Sequence, residues 1–174
     1  DAALAGLGEA RNGAGIGKRI VMYYTVSTGV GGARIVDGRI DQSAFGFEPG
    51  HQIITVPPWG EKRGQEPKSL EDYVGGEGIK KRFLVEPSCI DDPAIWEAAA
   101  TYLAYGLYNS ILHWSPDVVV LGGALIIKNA ITVPRVRSVI ASLMKNFPVV
   151  PPIHLAKLGE FSGLHGALVV LQST

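Results

Sequence analysis

The densest chemical signal in the chain is Ser27-Thr28-Gly29-Val30-Gly31-Gly32. Glycines let a backbone approach a ligand closely, and successive amides can form a nest for an anion. The Ser27 and Thr28 hydroxyls add donors suited to phosphate oxygens. No Gly-Lys-Ser/Thr follows, so this is not a Walker loop. The same spacing also describes a glycine-rich hairpin turn without a ligand. A second signal is Val118-Val119-Val120-Leu121-Gly122-Gly123, an apolar run closed by two glycines. It puts small residues at the carboxyl edge of a sheet, where ligands bind in open α/β folds. An ordinary strand-to-helix turn has the same form. The third is Glu48-Pro49-Gly50-His51, with Glu71 further on. Two carboxylates and an imidazole can accept from and donate to hydroxyls; a solvated polar loop is the alternative. His51 has no cysteine near it in sequence, and Cys89 is the sole cysteine, so structural zinc is not expected. His113, His154 and His165 read as structural, Trp96 and Trp114 as core or interface anchors, and Cys89 as a small buried hydrophobe.

These residues need elements to position them. Ala2 to Arg11 is rich in Ala and Leu and predicts a helix, ended by Gly13-Ala14-Gly15. Ile20 to Ser27 predicts a strand, Thr28 to Gly32 a tight turn and Ala33 to Val36 a second strand. Asp37-Gly38 signals a hairpin into a third strand from Arg39 to Asp41, giving an antiparallel meander. Gln42 to Pro67 is punctuated by prolines and glycines and reads as a long exposed loop around a short strand, Gln52 to Val56. Ser69 caps a helix to Val74, and Glu77 to Phe83 makes another. Asp92-Pro93 is an N-cap followed by proline, opening a long helix to about Trp114. Its Trp96, Ala99, Leu103, Leu107, Ile111 and Trp114 keep helical spacing. Val118 to Leu121 predicts a buried parallel strand, Val133 to Asn146 a helix, Ile153 to Ala156 a strand and Gly163 to Leu171 a last helix. The order predicts one α/β domain over residues 1–174, with a mixed sheet flanked by helices.

Composition narrows the function. The chain has 174 residues, enough for one substantial core. Sixteen Lys and Arg balance sixteen Asp and Glu, which gives no sign of a nucleic-acid or anionic-membrane partner. No apolar run approaches the roughly 20 residues of a membrane helix. A single cysteine excludes an internal disulfide and fits a reducing cytoplasm. The first residue is Asp1 rather than Met, so processing or an absent upstream segment is expected.

The pieces together resemble the ROK family of sugar kinases, over essentially the whole chain. Asp1-Ala2-Ala3 running to Leu7-Gly8-Glu9 resembles the segment that opens Asn-Asp-Ala and closes Leu-Gly-Glu. Ser27 to Gly32 followed by Ile35-Val36-Asp37-Gly38 looks like the second phosphate motif, and Glu48, Gly50 and His51 match the Glu-x-Gly-His sugar motif. Ser69-Leu70-Glu71 sits where the family has Cys-x-Glu, and Leu121-Gly122-Gly123 resembles the adenosine motif. Leu158-Gly159-Glu160 with Gly163-Leu164-His165-Gly166-Ala167 resembles the closing segment. The resemblance implies an RNase H-like fold of the actin and hexokinase type. It implies Asp1 as general base, with Glu48, His51 and Glu71 on sugar hydroxyls. Thr28, Gly29, Gly31 and Gly32 would cradle the phosphates of ATP with Mg²⁺, and Gly122 and Gly123 would meet adenosine. The Trp and Tyr residues of the helix from Pro93 to Trp114 suit an interface or core packing, and the resemblance implies that a homodimer would form through this domain.

Three departures accompany the match. By the resemblance, a small amino-terminal domain with its own phosphate loop and an asparagine before the aspartate are expected upstream of Asp1. The family's zinc cysteines fall at Lys62, Gly64 and Ser69, which supply no thiolate. Pro49 stiffens the sugar motif. The expectation is therefore the larger half of an ATP-dependent sugar kinase, inactive by itself. A sugar-sensing transcriptional regulator or a non-catalytic sugar-binding protein is the alternative.

Overall fold

A computed structural model describes residues 1–56, 66–128 and 130–172. At its centre lies a five-stranded sheet with the order β3-β2-β1-β6-β7. The strands are β1 (Ile20–Val26), β2 (Val30–Val36), β3 (Arg39–Ile40), β6 (Val118–Gly122) and β7 (Ile153–Leu155). The first three form the expected antiparallel meander, while β6 and β7 run parallel to β1. The β2–β3 hairpin turns on Asp37 and Gly38, both at positive φ (51° and 69°), which is the twist such two-residue loops favour. A separate ribbon pairs β4 (Ile53–Thr55) with β5 (Lys68–Ser69).

Both faces of the sheet are covered, which is why β1 and β6 read as continuous apolar runs. Side chains alternate between the faces. Val21, Tyr23, Val118 and Val120 join a core with Leu7 and Val169, from helices α1 (Ala2–Asn12) and α7 (Ser162–Gln172). Met22, Tyr24, Val119 and Leu121 join the larger core on the other side. There they meet α2 (Leu70–Val74), α4 (Pro93–Trp114) and α6 (Val133–Leu143). The result is a helix–sheet–helix sandwich. The short helices α3 (Gly76–Phe83) and α5 (Ala124–Ile127) flank its carboxyl edge. Among the described residues no helix is long and apolar enough to cross a membrane.

Several boundaries differ from the sequence expectation. Strand β2 begins at Val30, so Gly31 and Gly32 belong to the strand and the turn shrinks to residues 27–29. Helix α5 was not anticipated. Helix α6 stops at Leu143 rather than Asn146, because Met144 leaves helical geometry (φ −73°, ψ 103°) and Phe147 and Val150 turn onto the core. The middle of the expected Gln42–Pro67 loop, residues 57–65, lies outside the described residues.

Glu9 holds the first and last helices to the sheet. It is fully buried. Its carboxylate accepts from the amides of Ala14 (2.8 Å), Lys157 (3.1 Å) and Leu158 (2.8 Å) and from the Ser162 hydroxyl (2.9 Å). Four donors stand in for the lost water, which is the condition for burying a charge. Gly8 and Gly166 sit where α1 and α7 cross, and a methyl group on either would collide with the partner backbone. Glu9→Ala leaves a cavity and deprives three part-buried N–H groups and the buried Ser162 hydroxyl of their acceptor. It should cost about 3 kcal/mol or more, read as a lower urea midpoint at unchanged m-value.

Candidate active site

The glycine turn is held from behind. Ser27 N–H donates to the Gly29 carbonyl (2.9 Å), while Gly76 and Glu77 at the start of α3 donate to the carbonyls of Ser27 (2.8 Å) and Thr28 (2.9 Å). Thr28 remains exposed at the tip. On the other flank, Glu71 Oε2 accepts from the Val30 amide at 2.7 Å and lies beside Gly29. A residue expected on the sugar therefore touches the segment expected on the phosphates.

Helix α2 presents Glu71 through a capping box. Ser69 Oγ accepts from the Asp72 amide (3.3 Å), and Asp72 Oδ2 accepts from the Ser69 amide (2.8 Å) and hydroxyl (2.9 Å). The Ser69 amide is the main reason the Asp72 carboxyl sits below the usual carboxylate range. The cap is thus formed at neutral pH and weakens as pH falls through that lowered value.

The Glu48–His51 segment folds as a 3-10 turn over Pro49–His51, with Pro49 at its first position. Pro49 and Gly50 are buried, and Glu48 and His51 are exposed. Gly50 presses on the Val30 carbonyl so closely that no Cβ fits, and Pro49 lies against Gly32. This turn is thereby fixed to the start of β2.

Gln52 ties the same turn to the interior. Its Nε2 donates to the Pro49 carbonyl (2.8 Å) and to Tyr24 Oη (3.3 Å), and its Oε1 accepts from Asn109 Nδ2 (3.1 Å). Tyr24 in turn meets the Ser110 hydroxyl at 2.5 Å. Burial pushes the Tyr24 phenol far above its ordinary pKa, so it stays a neutral donor. None of these four polar residues was anticipated. The available signal was Asn109-Ser110 set inside the apolar stripe of α4.

Asp1 occupies the N-cap position of α1, exposed, with its carbonyl accepting from Ala5 (3.0 Å). Its neighbour Ala2 packs beside Gly31. Across the sheet, Gly122 pairs with Thr25. Gly123 turns the chain at φ 90°, ψ 156°, a conformation restricted to glycine, and lies against the Val26 backbone. Beyond it Ala124, Leu125 and Lys128 line a cleft of about 760 Å³ with Pro93 and Trp96 of α4. Tyr23 Oη lies beneath Gly122, and burial raises its pKa.

The metal expectation can be judged by donor chemistry. Ser69, at one of the zinc-cysteine positions, spends its side chain on the α2 cap. Lys62 and Gly64 lie outside the described residues. Among the described residues no three His, Cys, Asp or Glu side chains group as metal ligands. The donor set does not suit a thiolate zinc site. Cys89 is exposed in a 3-10 turn after Pro87, which corrects its expected burial. His113 and His154 are exposed, while His165 Nδ1 lies 3.4 Å from Asn12 Nδ2.

Glu71, the Pro49–Gly50 turn and Ala2 thus meet the glycine strand at Gly29 to Gly32, near the carboxyl ends of β1 and β6, and the 760 Å³ cleft opens beside Gly123. The fold is the α/β type of actin and hexokinase, with a mixed sheet between helical layers. The ROK family model matches residues 1–174, and the chain belongs to the ROK family. It is 27% identical over 161 residues to a fructokinase of Pediococcus pentosaceus, covering 87% of this chain and 55% of that protein. The ROK hexokinase of Thermus thermophilus matches with a TM-score of 0.81 at 27% identity, over 99% of this chain and 64% of that one. A ROK family glucokinase of Streptomyces griseus, solved with glucose and AMPPNP, gives 0.76 at 22% identity over 99% and 67%. A ROK family transcriptional regulator gives 0.76 at 18% identity over 99% and 50%. At these two lower identities the likeness concerns the fold. The chain spans 55% of the fructokinase and 64% of the hexokinase.

Gly123→Ala combines a forbidden backbone conformation with a clash on Val26. It should lose at least about 2 kcal/mol of stability. Gly17→Ala, at φ 76° with open space around it, should lose less. Equal losses in urea unfolding would contradict this account of Gly123.

Proposed function

We propose that the chain is the large, sugar- and nucleotide-binding half of an ATP-dependent kinase that phosphorylates a hexose or hexose-derivative hydroxyl. The supporting observation is the gathering of Glu71, the Glu48–His51 turn and the α1 start around Gly29 to Gly32. Phosphoryl transfer asks a protein for positioning and electrostatics more than for covalent chemistry. Asp1 takes the proton from the sugar hydroxyl as that oxygen attacks the γ-phosphorus, and the bond to the ADP oxygen breaks. Glu48, His51 and Glu71 fix the other hydroxyls. Thr28 and the amides of residues 29–32 face the phosphates. Mg²⁺, when bound with ATP, supplies charge neutralisation there. The adenine side lies along Gly122, Gly123 and the adjoining 760 Å³ cleft, a volume in the usual range for small-ligand sites.

Half a cleft cannot exclude water, so turnover belongs to the full-length protein with its amino-terminal domain. The alternative, a sugar-responsive regulator, draws support from the shared fold of the transcriptional regulator. The presence of Asp1 together with Glu48, His51 and Glu71 favours catalysis.

Two measurements on the full-length protein test this. A panel of hexoses and N-acetylhexosamines should reveal ADP release that depends on the sugar, and release indifferent to sugar would count against a sugar kinase. Asp1→Asn should lower kcat by roughly 10²–10⁴-fold while AMPPNP affinity stays within about twofold. Full turnover in that variant would remove Asp1 as the base.

A further inference from the structure

Gln52 spends its whole side-chain amide on one task. Both Nε2 hydrogens are used, on the Pro49 carbonyl and Tyr24 Oη, and Oε1 accepts from Asn109. Tyr24 Oη accepts from Gln52 and shares a 2.5 Å hydroxyl–hydroxyl bond with Ser110 Oγ. The donors run from Asn109 to Gln52 to Tyr24, whose hydroxyl joins that of Ser110, and such linked bonds polarise and strengthen one another. The chain starts and ends on adjacent residues of α4, so it forms a closed loop anchored in a long rigid helix. The Gln52 backbone carbonyl also accepts from Leu70 N at 2.9 Å, the first residue of α2. One residue therefore links β1, the Glu48–His51 turn, α4 and the helix that carries Glu71. The Ser69–Asp72 capping box fixes the same helix end from the other side.

Resting on the kinase reading above, we propose that Gln52 is a positioning residue for the sugar-contacting groups. With Asn109, Tyr24 and Ser110, and with the Ser69–Asp72 cap, it sets Glu48 and His51 against Glu71 by hydrogen bonds, in place of a zinc clamp. Neutral hydrogen bonds in a half-buried setting do here what thiolate ligation would do: they fix a single short 3-10 turn that is too brief to hold itself. The hydrogen bonds of Gln52 end on the Glu48–His51 turn, Tyr24, Asn109 and Leu70, and reach the glycine strand only at second hand, through Pro49 on Gly32 and Glu71 on Val30. The tip of the glycine turn is held by Gly76 and Glu77, which Gln52 does not touch, so loosening Gln52 should affect the sugar far more than the nucleotide.

The test uses the full-length kinase. Gln52→Leu keeps the volume and removes every donor and acceptor. It should raise KM for the sugar about tenfold, with KM for ATP within about twofold and a native near-UV dichroism spectrum. Asn109→Ala removes one link with less risk to folding and should raise the sugar KM in the same direction by a smaller factor. Zinc measured by mass spectrometry should fall far below one atom per chain. The positioning role is overturned by an unmoved sugar KM in both variants, or by sugar and ATP KM rising in parallel. Stoichiometric zinc in the wild type overturns the replacement of the clamp. A wild type that phosphorylates no sugar sinks the kinase reading itself, whereas an active wild type with unmoved variants sinks only the role of Gln52.

Discussion

Strand β1 is bonded along both edges and covered on both faces, and the site is built from what that burial demands. Two strands of opposite sense flank it: β2 antiparallel and β6 parallel. A chain segment so enclosed can end only where its neighbours end, so β1 and β6 release their glycine turns at the same edge. Successive tyrosines point to opposite faces. Tyr24 Oη reaches Ser110 and Gln52 beside the Glu48–His51 turn, and Tyr23 Oη lies under Gly122. Each phenol is apolar for most of its length and needs a polar partner at its tip. One tip meets Gln52 and Ser110 and the other Gly122.

Placement of Asp1 depends on a longer lever. Helix α1 carries it at its N-cap and reaches the glycine strand through Ala2 and Gly31. The far end of that helix is fastened by Glu9, a buried carboxylate satisfied by four donors from the α1 exit and the α7 entrance. The contact joins residues up to 153 positions apart. It turns the first and last helices into one layer, which explains why both their motifs carry glycines at the crossing.

Much of this was legible in the sequence. Continuous apolar runs marked β1 and β6 because parallel, two-sided burial leaves no polar face. Asp92-Pro93 and Ser69 with Asp72 announced helix starts that the structure reproduces to the residue. The resemblance named Glu71 and the Glu48–His51 segment, both of which abut the start of β2. Their mutual arrangement was not legible, since periodicity is a local signal and the decisive contacts are distant. Glu71 meets Val30 across 41 positions and Gln52 meets Asn109 across 57. The start of β2 was misjudged because glycines are poor strand formers, yet pairing with β1 and the close approach of Pro49 require them. Cys89 was expected inside on residue type, but the prolines and short turn around it hold it at the surface.

A crystal structure of the full-length protein with a hexose and a non-hydrolysable ATP analogue tests the central claim most directly. The account predicts one sugar hydroxyl within hydrogen-bond reach of Asp1, others on Glu48, His51 and Glu71, phosphates over Thr28 to Gly32, and adenine beside Gly122 and Gly123. A sugar bound away from Glu71, or a nucleotide away from the carboxyl ends of β1 and β6, would contradict it.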